Sequence, residues 1–288
     1  MPELPEVEVV KKSLVRRIKK LVINNVVIVN KNLRYKLDIL KFIKLKKAKI
    51  ITIKRRSKYL LITLSNKQTI LAHLGMTGKF FIIDQKKKKY KTSFYYSLNR
   101  NDNKHDHLII NFNKKIQLIY NDVRKFGFIK ILNPVELSNT NHLKHLGPEP
   151  LSNKFNINYF THYIKKKNIS TKDLLMNQKF VAGLGNIYCN EILFKSRIHP
   201  HRKVNYLKKK DLINLIKYIK KILRNSILLG GSSIKDFSNV NGTNGNFQQE
   251  FAVYGREKNR CRTKNCLGVI KKIYVSNRST FFCDMCQK

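Results

Sequence analysis

The chain has 288 residues, 42% of them apolar and 10% aromatic, enough to fill the core of one large domain or of two ordinary ones, which excludes a disordered chain. With 60 Lys and Arg against 17 Asp and Glu, its formal charge is +43, an imbalance that points to a polyanionic partner such as nucleic acid. Part of the Lys, Asn and Ile excess is the bias that an A+T-rich genome imposes on all its proteins, so charge alone supports only non-specific phosphate affinity.

The opening MPELPEVEVV gathers three of the scarce carboxylates, Glu3, Glu6 and Glu8, beside two prolines. From Glu3 to Lys20 the apolar residues Val7, Val10, Leu14 and Ile18 recur at helical spacing, with acids in front and Lys/Arg behind, as the helix dipole prefers. The next apolar run, LVINNVVIV from Leu21, is broken by Asn24 and Asn25. With the acidic start, it does not read as a secretory signal. No apolar run is long enough to span a bilayer, so a soluble cytoplasmic protein is expected, with no membrane partner. In that reducing compartment the five cysteines read as metal ligands or free thiols rather than disulfides.

Between about Val26 and Leu132 the pattern changes to short β-branched and aromatic runs, KIITI, YLLITL, TILAHL, KFFIID, FYYSL, HLIINF and IQLIYN, separated by Asn, Lys and Gly. These predict a β-rich domain, most simply a sandwich. After NPVEL and LGPEPL the composition turns helical through NINYFTHYIKKK, TKDLLMNQKFVAG, NIYCNEILFKSR and a long helix ending at Gly230 and Gly231. SNVNGTNGN, from Ser238 to Asn246, is a polar Gly/Asn loop. The fold expected is α+β, in four segments: a β-sandwich domain with its leading helix (2–133), a helical domain (134–237), a loop (238–250) and a terminal hairpin (251–288).

CRTKNC at Cys261 and Cys266 and CDMC at Cys283 and Cys286 flank KKIYVSNRSTFF, which reads as a β-hairpin. Four thiolates in paired turns suit one tetrahedral Zn²⁺, and four protein ligands close its shell, so the zinc is expected to be structural. Cys189, alone in a helical pattern, reads as a small buried residue. TKDLLMNQKFVAGLGNIYCNEI reads as helix, Gly-bearing turn, helix, with Asn186 as the second helix's N-cap. Helix N-termini bind phosphates, but by itself the pattern is a weak signal and reads first as a plain helical hairpin in a core.

Eight ordered segments, MPELPEVE, RRSKYLL, HLGMTG, DVRKFG, GLGNIY, GGSSIKDF, FAVYGR and RSTFFCDMCQK, together resemble the bacterial formamidopyrimidine-DNA glycosylase family over nearly the whole chain. The resemblance implies a helix–two-turn–helix and a zinc ribbon in the second half. It also implies a monomeric bifunctional glycosylase and lyase that removes oxidised purines, 8-oxoguanine and formamidopyrimidines, from duplex DNA and acts at abasic sites, with no small-molecule cofactor. In the family the initiator Met is removed and Pro2 becomes the nucleophile; an α-amino group, with a pKa of about 8, is partly neutral at physiological pH. Glu3 resembles the catalytic acid and base, and Glu6 a supporting carboxylate. Lys58 matches a family position at the reacting nucleotide and its phosphates. His73, Asn186 and Arg278 match phosphate contacts. Met76, Arg124 and Phe126 match the wedge that fills the duplex when a base is everted. Without the resemblance, Glu3 and Glu6 read equally as helix-capping acids, His73 as a structural histidine, and Met76 and Phe126 as core residues. Glu8 reads as an acid decorating the helix N-terminus.

Three features depart from the family pattern. The first Cys pair is CxxxxC rather than CxxC, Val123 stands for a usual proline, and Lys125 for a usual arginine, which keeps the charge and loses the planar fork. Two rivals stay open: an endonuclease VIII-like enzyme for oxidised pyrimidines, although that branch usually begins MPEGP, and a non-catalytic zinc-dependent DNA-binding relic.

Overall fold

A computed structural model describes residues 2–93, 102–231 and 251–288. The expected FYYSL strand and the Gly/Asn loop lie outside these residues, as does Met1. The chain forms two compact units, Met1–Lys144 with Leu229–Asn246, and His145–Leu228 with Phe247–Lys288.

In the first unit, helix α1 (Leu4–Ile18) leads into β1 (Ile23–Ile28), the short helix α2 (Ile39–Ile43), β2 (Ile50–Arg56), β3 (Tyr59–Leu64), β4 (Thr69–His73), β5 (Lys79–Ile83) and β6 (Lys89–Lys91). Then come β7 (Asp106–Phe112), β8 (Gln117–Asn121), β9 (Phe128–Leu132) and the short helices α3 (Pro134–Asn139) and α4 (Asn141–Lys144). The strands make two antiparallel sheets, β1-β7-β8-β5-β6 and β2-β3-β4-β9. The predicted sandwich is therefore present. Alternation in YLLITL buries Leu60, Ile62 and Leu64, and the helical spacing of α1 buries Val7, Val10, Leu14 and Ile18 in the same core as Phe42, Ile70, Phe81, Phe112 and Tyr120. The interrupted run from Leu21 yields β1, its Asn24 and Asn25 exposed.

In the second unit α5 (Ile157–Ile164), α6 (Thr171–Met176), α7 (Asn186–Lys195) and α8 (Lys209–Leu228) precede the hairpin of β10 (Ile270–Val275) and β11 (Arg278–Cys283). α7 is buried on all sides from Ile187 to Phe194, whereas α8 buries one stripe, Leu212, Leu215, Ile219 and Leu223. Cys189 is buried, as expected of a small core residue. The Glu191 carboxylate accepts the N–H groups of Ala252, Val253 and Tyr254 at 2.9, 3.0 and 2.9 Å, fastening the start of the terminal segment to α7. Burial pushes this carboxyl up against the opposing pull of those three donors. Among the described residues, no helix is long and apolar enough to cross a membrane.

Glu8 does more than decorate α1. It pairs with Lys11 at 2.6 Å and with Arg55 Nε on β2 at 2.8 Å, and Arg55 Nη1 donates to the Ser57 carbonyl at 2.9 Å. Although burial opposes it, hydrogen bonds from Lys11 and Arg55 hold the Glu8 carboxyl below the usual carboxylate range. A depressed pKa contributes stability above the unfolded-state value and loses it as pH falls through the folded one. Glu8→Gln is therefore expected to cost about 1–2 kcal/mol near neutral pH. In urea melts repeated from neutral to acid, the gap from wild type should close as pH falls below the ordinary carboxylate range; a gap constant across that range would contradict the pairing.

Candidate active site

Pro2, Glu3 and Glu6 are all buried, at the end of a helix with positive partial charge. Glu3 is the N-cap of α1, and Glu3 and Glu6 form a reciprocal capping box in which the Glu3 N–H donates to Glu6 Oε2 at 2.8 Å. Leu4 and Pro5 follow as the first helical residues, where a missing proline N–H costs nothing. Behind Glu6 lies Gly231, in the left-handed region at φ +85; a Cβ there would come within 3.2 Å of Glu6 Oε1. The arrangement buries two carboxyl groups within four residues of Pro2, at the N-terminus of a helix.

Lys58 sits in the two-residue turn between β2 and β3, at 8% exposure, and the Arg55 bond to the Ser57 carbonyl secures that turn. Next to it, Tyr59 faces His73 across the sheet with ring centroids 5.0 Å apart. The structure thus brings Lys58 and His73 together. His73 also stacks on Phe128 at 5.7 Å. Burial, with Lys58, Arg34 and His142 adding positive potential, lowers the His73 pKa to about 4. Its Nδ1 accepts the Gly75 N–H at 3.1 Å, which leaves the single proton on Nε2. His73 is a neutral donor.

Two loops carry the expected wedge. Gly75, at φ +60, lets the Met76 loop lie against Phe126 and Gly127, where a Cβ would approach the Gly127 nitrogen to 2.4 Å. Met76 is half-buried, Arg124 is exposed, and Phe126 is 45% exposed with the Arg124 guanidinium 4.5 Å above its ring. Neither Met76 nor Phe126 is a core residue. Lys125 occupies the left-handed region at φ 56 and Val123 is exposed, so both departures in DVRKFG fall on the outer side of a turn.

In the second unit Asn186 is the first residue of α7, and Gly185, not Asn186, is the N-cap. The carboxamide is otherwise engaged: Asn186 Nδ2 donates to the Ser279 carbonyl at 2.9 Å. Four further bonds reach the same hairpin, from Lys172 Nζ to Thr280 Oγ1 at 2.6 Å and to the Ser279 carbonyl at 3.4 Å, from Ser276 Oγ to Asp173 Oδ1 at 2.7 Å, and from the Phe281 N–H to Asn190 Oδ1 at 2.8 Å. Ser276 and Asn277, both at positive φ, make the tight turn that sets exposed Arg278 at the start of β11.

The sulfurs of Cys261, Cys266, Cys283 and Cys286 all lie within 4.8 Å of one another. Sγ separations are 3.8 Å for Cys261–Cys286, 3.7 Å for Cys266–Cys283 and 3.4 Å for Cys266–Cys286. A tetrahedron with metal–sulfur bonds of about 2.3 Å has edges of about 3.8 Å, so the four thiols fit one metal ion. Backbone N–H groups of Thr263 and Gly268 point to Cys261 and Cys266 at 3.4 Å, as thiolates require. The long CxxxxC spacing does not displace the first pair: a turn closed by Cys266 N–H to the Thr263 carbonyl, with Asn265 left-handed, takes up the extra residues.

The motifs assign no role to Arg55, Thr77, Asp122, Lys172 or Glu191, although each braces a segment that a motif contains. One signal was available for the carboxylates. In a chain this poor in acids, an Asp or Glu inside an apolar pattern, as in NIYCNEILF, has a structural or chemical reason to be there.

The family model for the formamidopyrimidine-DNA glycosylase N-terminal domain matches residues 1–129, and that for the formamidopyrimidine-DNA glycosylase H2TH domain matches residues 146–238. The chain is 39% identical to the formamidopyrimidine-DNA glycosylase of Rickettsia conorii over 100% of its own length and 99% of that protein's. With that of Roseobacter denitrificans it shares 35% identity over 100% of both. Among solved structures it resembles the complex of Lactococcus lactis Fpg with an abasic site containing DNA, at TM-score 0.83 and 33% identity over 100% of both chains. It resembles equally the complex of that enzyme with a Fapy-dG containing DNA, at TM-score 0.83 and 33% identity over 99% of this chain and 100% of the other. Sequence and fold agree from end to end, and the chain belongs to the formamidopyrimidine-DNA glycosylase family, DNA glycosylases of base excision repair.

Proposed function

We propose that this protein, acting as a monomer in the cytoplasm, excises oxidised purines from duplex DNA through its N-terminal proline and then cuts the strand at the resulting abasic site. The observation that carries the reading is the buried cap in which Pro2 precedes the Glu3–Glu6 pair. Once Met1 is removed, the secondary amine of Pro2 attacks C1′ of the damaged nucleotide. The glycosidic bond breaks, the base departs with a proton, and nitrogen and C1′ are left joined as an iminium when the sugar ring opens. Glu3 protonates the ring oxygen in that opening and afterwards shuttles protons in the β- and δ-eliminations that release both phosphates. Glu6 holds the Glu3 backbone, so the acid does not drift from the cap.

Lys58, beside neutral His73, anchors the phosphates of the reacting nucleotide; Asn186 and Arg278 grip the backbone from the second unit. Met76, Arg124 and Phe126 fill the duplex, with Arg124 facing the orphaned base. Cys261, Cys266, Cys283 and Cys286 would hold Zn²⁺, which in a closed four-thiolate shell fixes the hairpin carrying Arg278 and does no chemistry. The family resemblance and the DNA bound by its solved relatives support the substrate.

Borohydride trapping on a duplex with one 8-oxoguanine opposite cytosine tests the nucleophile. A covalent adduct on Pro2 is expected, reduced at least about tenfold in Pro2→Gly, which keeps only a primary α-amine, and at least about a hundredfold in Glu3→Gln; an adduct on another residue of the wild-type protein, or none from protein lacking Met1, sinks the proposal. A preference for oxidised pyrimidines in competition would instead assign the endonuclease VIII-like specificity. The clamp makes a second prediction, because only charged contacts release counterions. Arg278→Ala should flatten the slope of log affinity against log salt by about one, whereas His73→Ala should weaken binding and leave the slope unchanged near neutral pH. Equal slope changes for both would contradict a neutral His73. Finally, elemental analysis should find one zinc per chain, and Cys283→Ser should lose the metal together with the DNA affinity that Arg278 supplies.

A further inference from the structure

One hydroxyl joins the two loops of the wedge. Thr77, next to Met76, donates its proton to Asp122 Oδ1 at 2.5 Å and accepts the Arg124 N–H on the same oxygen at 3.0 Å. The other carboxylate oxygen of Asp122 accepts the Gly127 N–H at 2.8 Å and the Tyr120 hydroxyl at 3.3 Å. Asp122 is itself fully buried, its N–H donating to the His105 carbonyl at 3.1 Å and its own carbonyl accepting from His107 Nε2 at 2.9 Å. So one buried carboxylate is fixed to β8 and to the strand before it, and from it hydrogen bonds run to both wedge loops. The glycines allow no slack: a Cβ on Gly127 would meet the Tyr120 hydroxyl at 1.9 Å and one on Gly78 would meet it at 2.5 Å.

We propose that Thr77 and Asp122 are positioning residues that lock the Met76 loop to the Arg124–Phe126 turn, so that all three side chains enter the duplex as one rigid wedge. The inference rests on the reading of Met76, Arg124 and Phe126 given above. A hydroxyl on one loop that both donates to and accepts from the other fixes their separation and orientation in a way that neither bond alone would, and a buried carboxylate is a stiff anchor because it has no water to exchange with. Without the lock each side chain would have to be ordered separately at the moment of insertion, which slows eversion and blurs the reading of the opposite base.

The test uses the full-length protein and duplexes with 2-aminopurine beside the lesion, whose fluorescence rises when the stack is opened, followed by stopped flow. Thr77→Val should slow that rise and base excision about tenfold and narrow the difference between cytosine and adenine opposite the lesion. Cutting at a ready-made abasic site should fall several-fold less, and Thr77→Ser should restore all three rates to within about twofold of wild type. The inference is overturned if Thr77→Val opens the stack at the wild-type rate. It is overturned equally if excision, abasic cutting and melting temperature fall in parallel, the mark of a general loss of stability. A tetrahydrofuran site in place of the lesion separates this inference from the proposed chemistry, since insertion there needs no reaction. A protein that never excises a base but inserts normally defeats the chemical reading and leaves the wedge comparison intact.

Discussion

Carboxylates that are buried or nearly so, each taking backbone N–H groups or a fixed cation, hold this protein's helix start and loops in place. In a chain of net charge +43, a buried acid faces no shortage of positive potential, yet it must still replace the water it has lost with aimed donors. Glu3 and Glu6 satisfy each other's backbone N–H at the start of α1, Glu8 binds α1 to β2 through Arg55, Asp122 ties the Met76 loop to the Arg124–Phe126 turn, and Glu191 collects three successive amides at the start of the terminal segment. Loops cannot otherwise be held so closely, because their own backbone groups have no ladder to join.

Aimed side-chain hydrogen bonds also hold the hairpin, from charged and neutral groups alike. Lys172, Asp173, Asn186 and Asn190, on the two helices of the helix–turn–helix, send bonds to residues 276 to 281, so the hairpin's place on its unit is set by side chains more than by the apolar cluster beneath the sulfurs. The sulfur cluster and the polar bonds act on different ends of the hairpin. The cysteines close the end near Cys283, and the asparagines fix the strand that begins at Arg278.

The elements that periodicity specifies were legible in the sequence. Val7, Val10, Leu14 and Ile18 announce α1, alternation in YLLITL announces β3, and the paired cysteines announce a metal-binding hairpin. What composition hid is instructive. β1 was masked by Asn24 and Asn25, which sit on its exposed positions and look like breakers until the register with β7 is known. Asn186 has an N-cap's chemistry, but Gly185 takes the cap and frees the Asn side chain for the Ser279 carbonyl, a choice that depends on a strand more than 90 residues away. Thr77 and Arg55 lie inside HLGMTG and RRSKYLL, but nothing in those motifs says what they do. Their roles arise from long-range pairings, 45 residues apart for Thr77 and Asp122 and 47 for Arg55 and Glu8, that no local pattern encodes.

The order in which the first unit is assembled follows from its being made of two separated stretches, Met1–Lys144 and Leu229–Asn246. α1 leaves the ribosome first, but Gly231, which packs against Glu6, is made only after the whole helical run to Leu228. At ordinary rates of synthesis that is a delay of roughly 10–45 s. During it, the Glu3–Glu6 box must keep its shape with one wall missing. A cap closed by its own two residues can do so, which gives the reciprocal geometry a value during translation as well as in the finished enzyme.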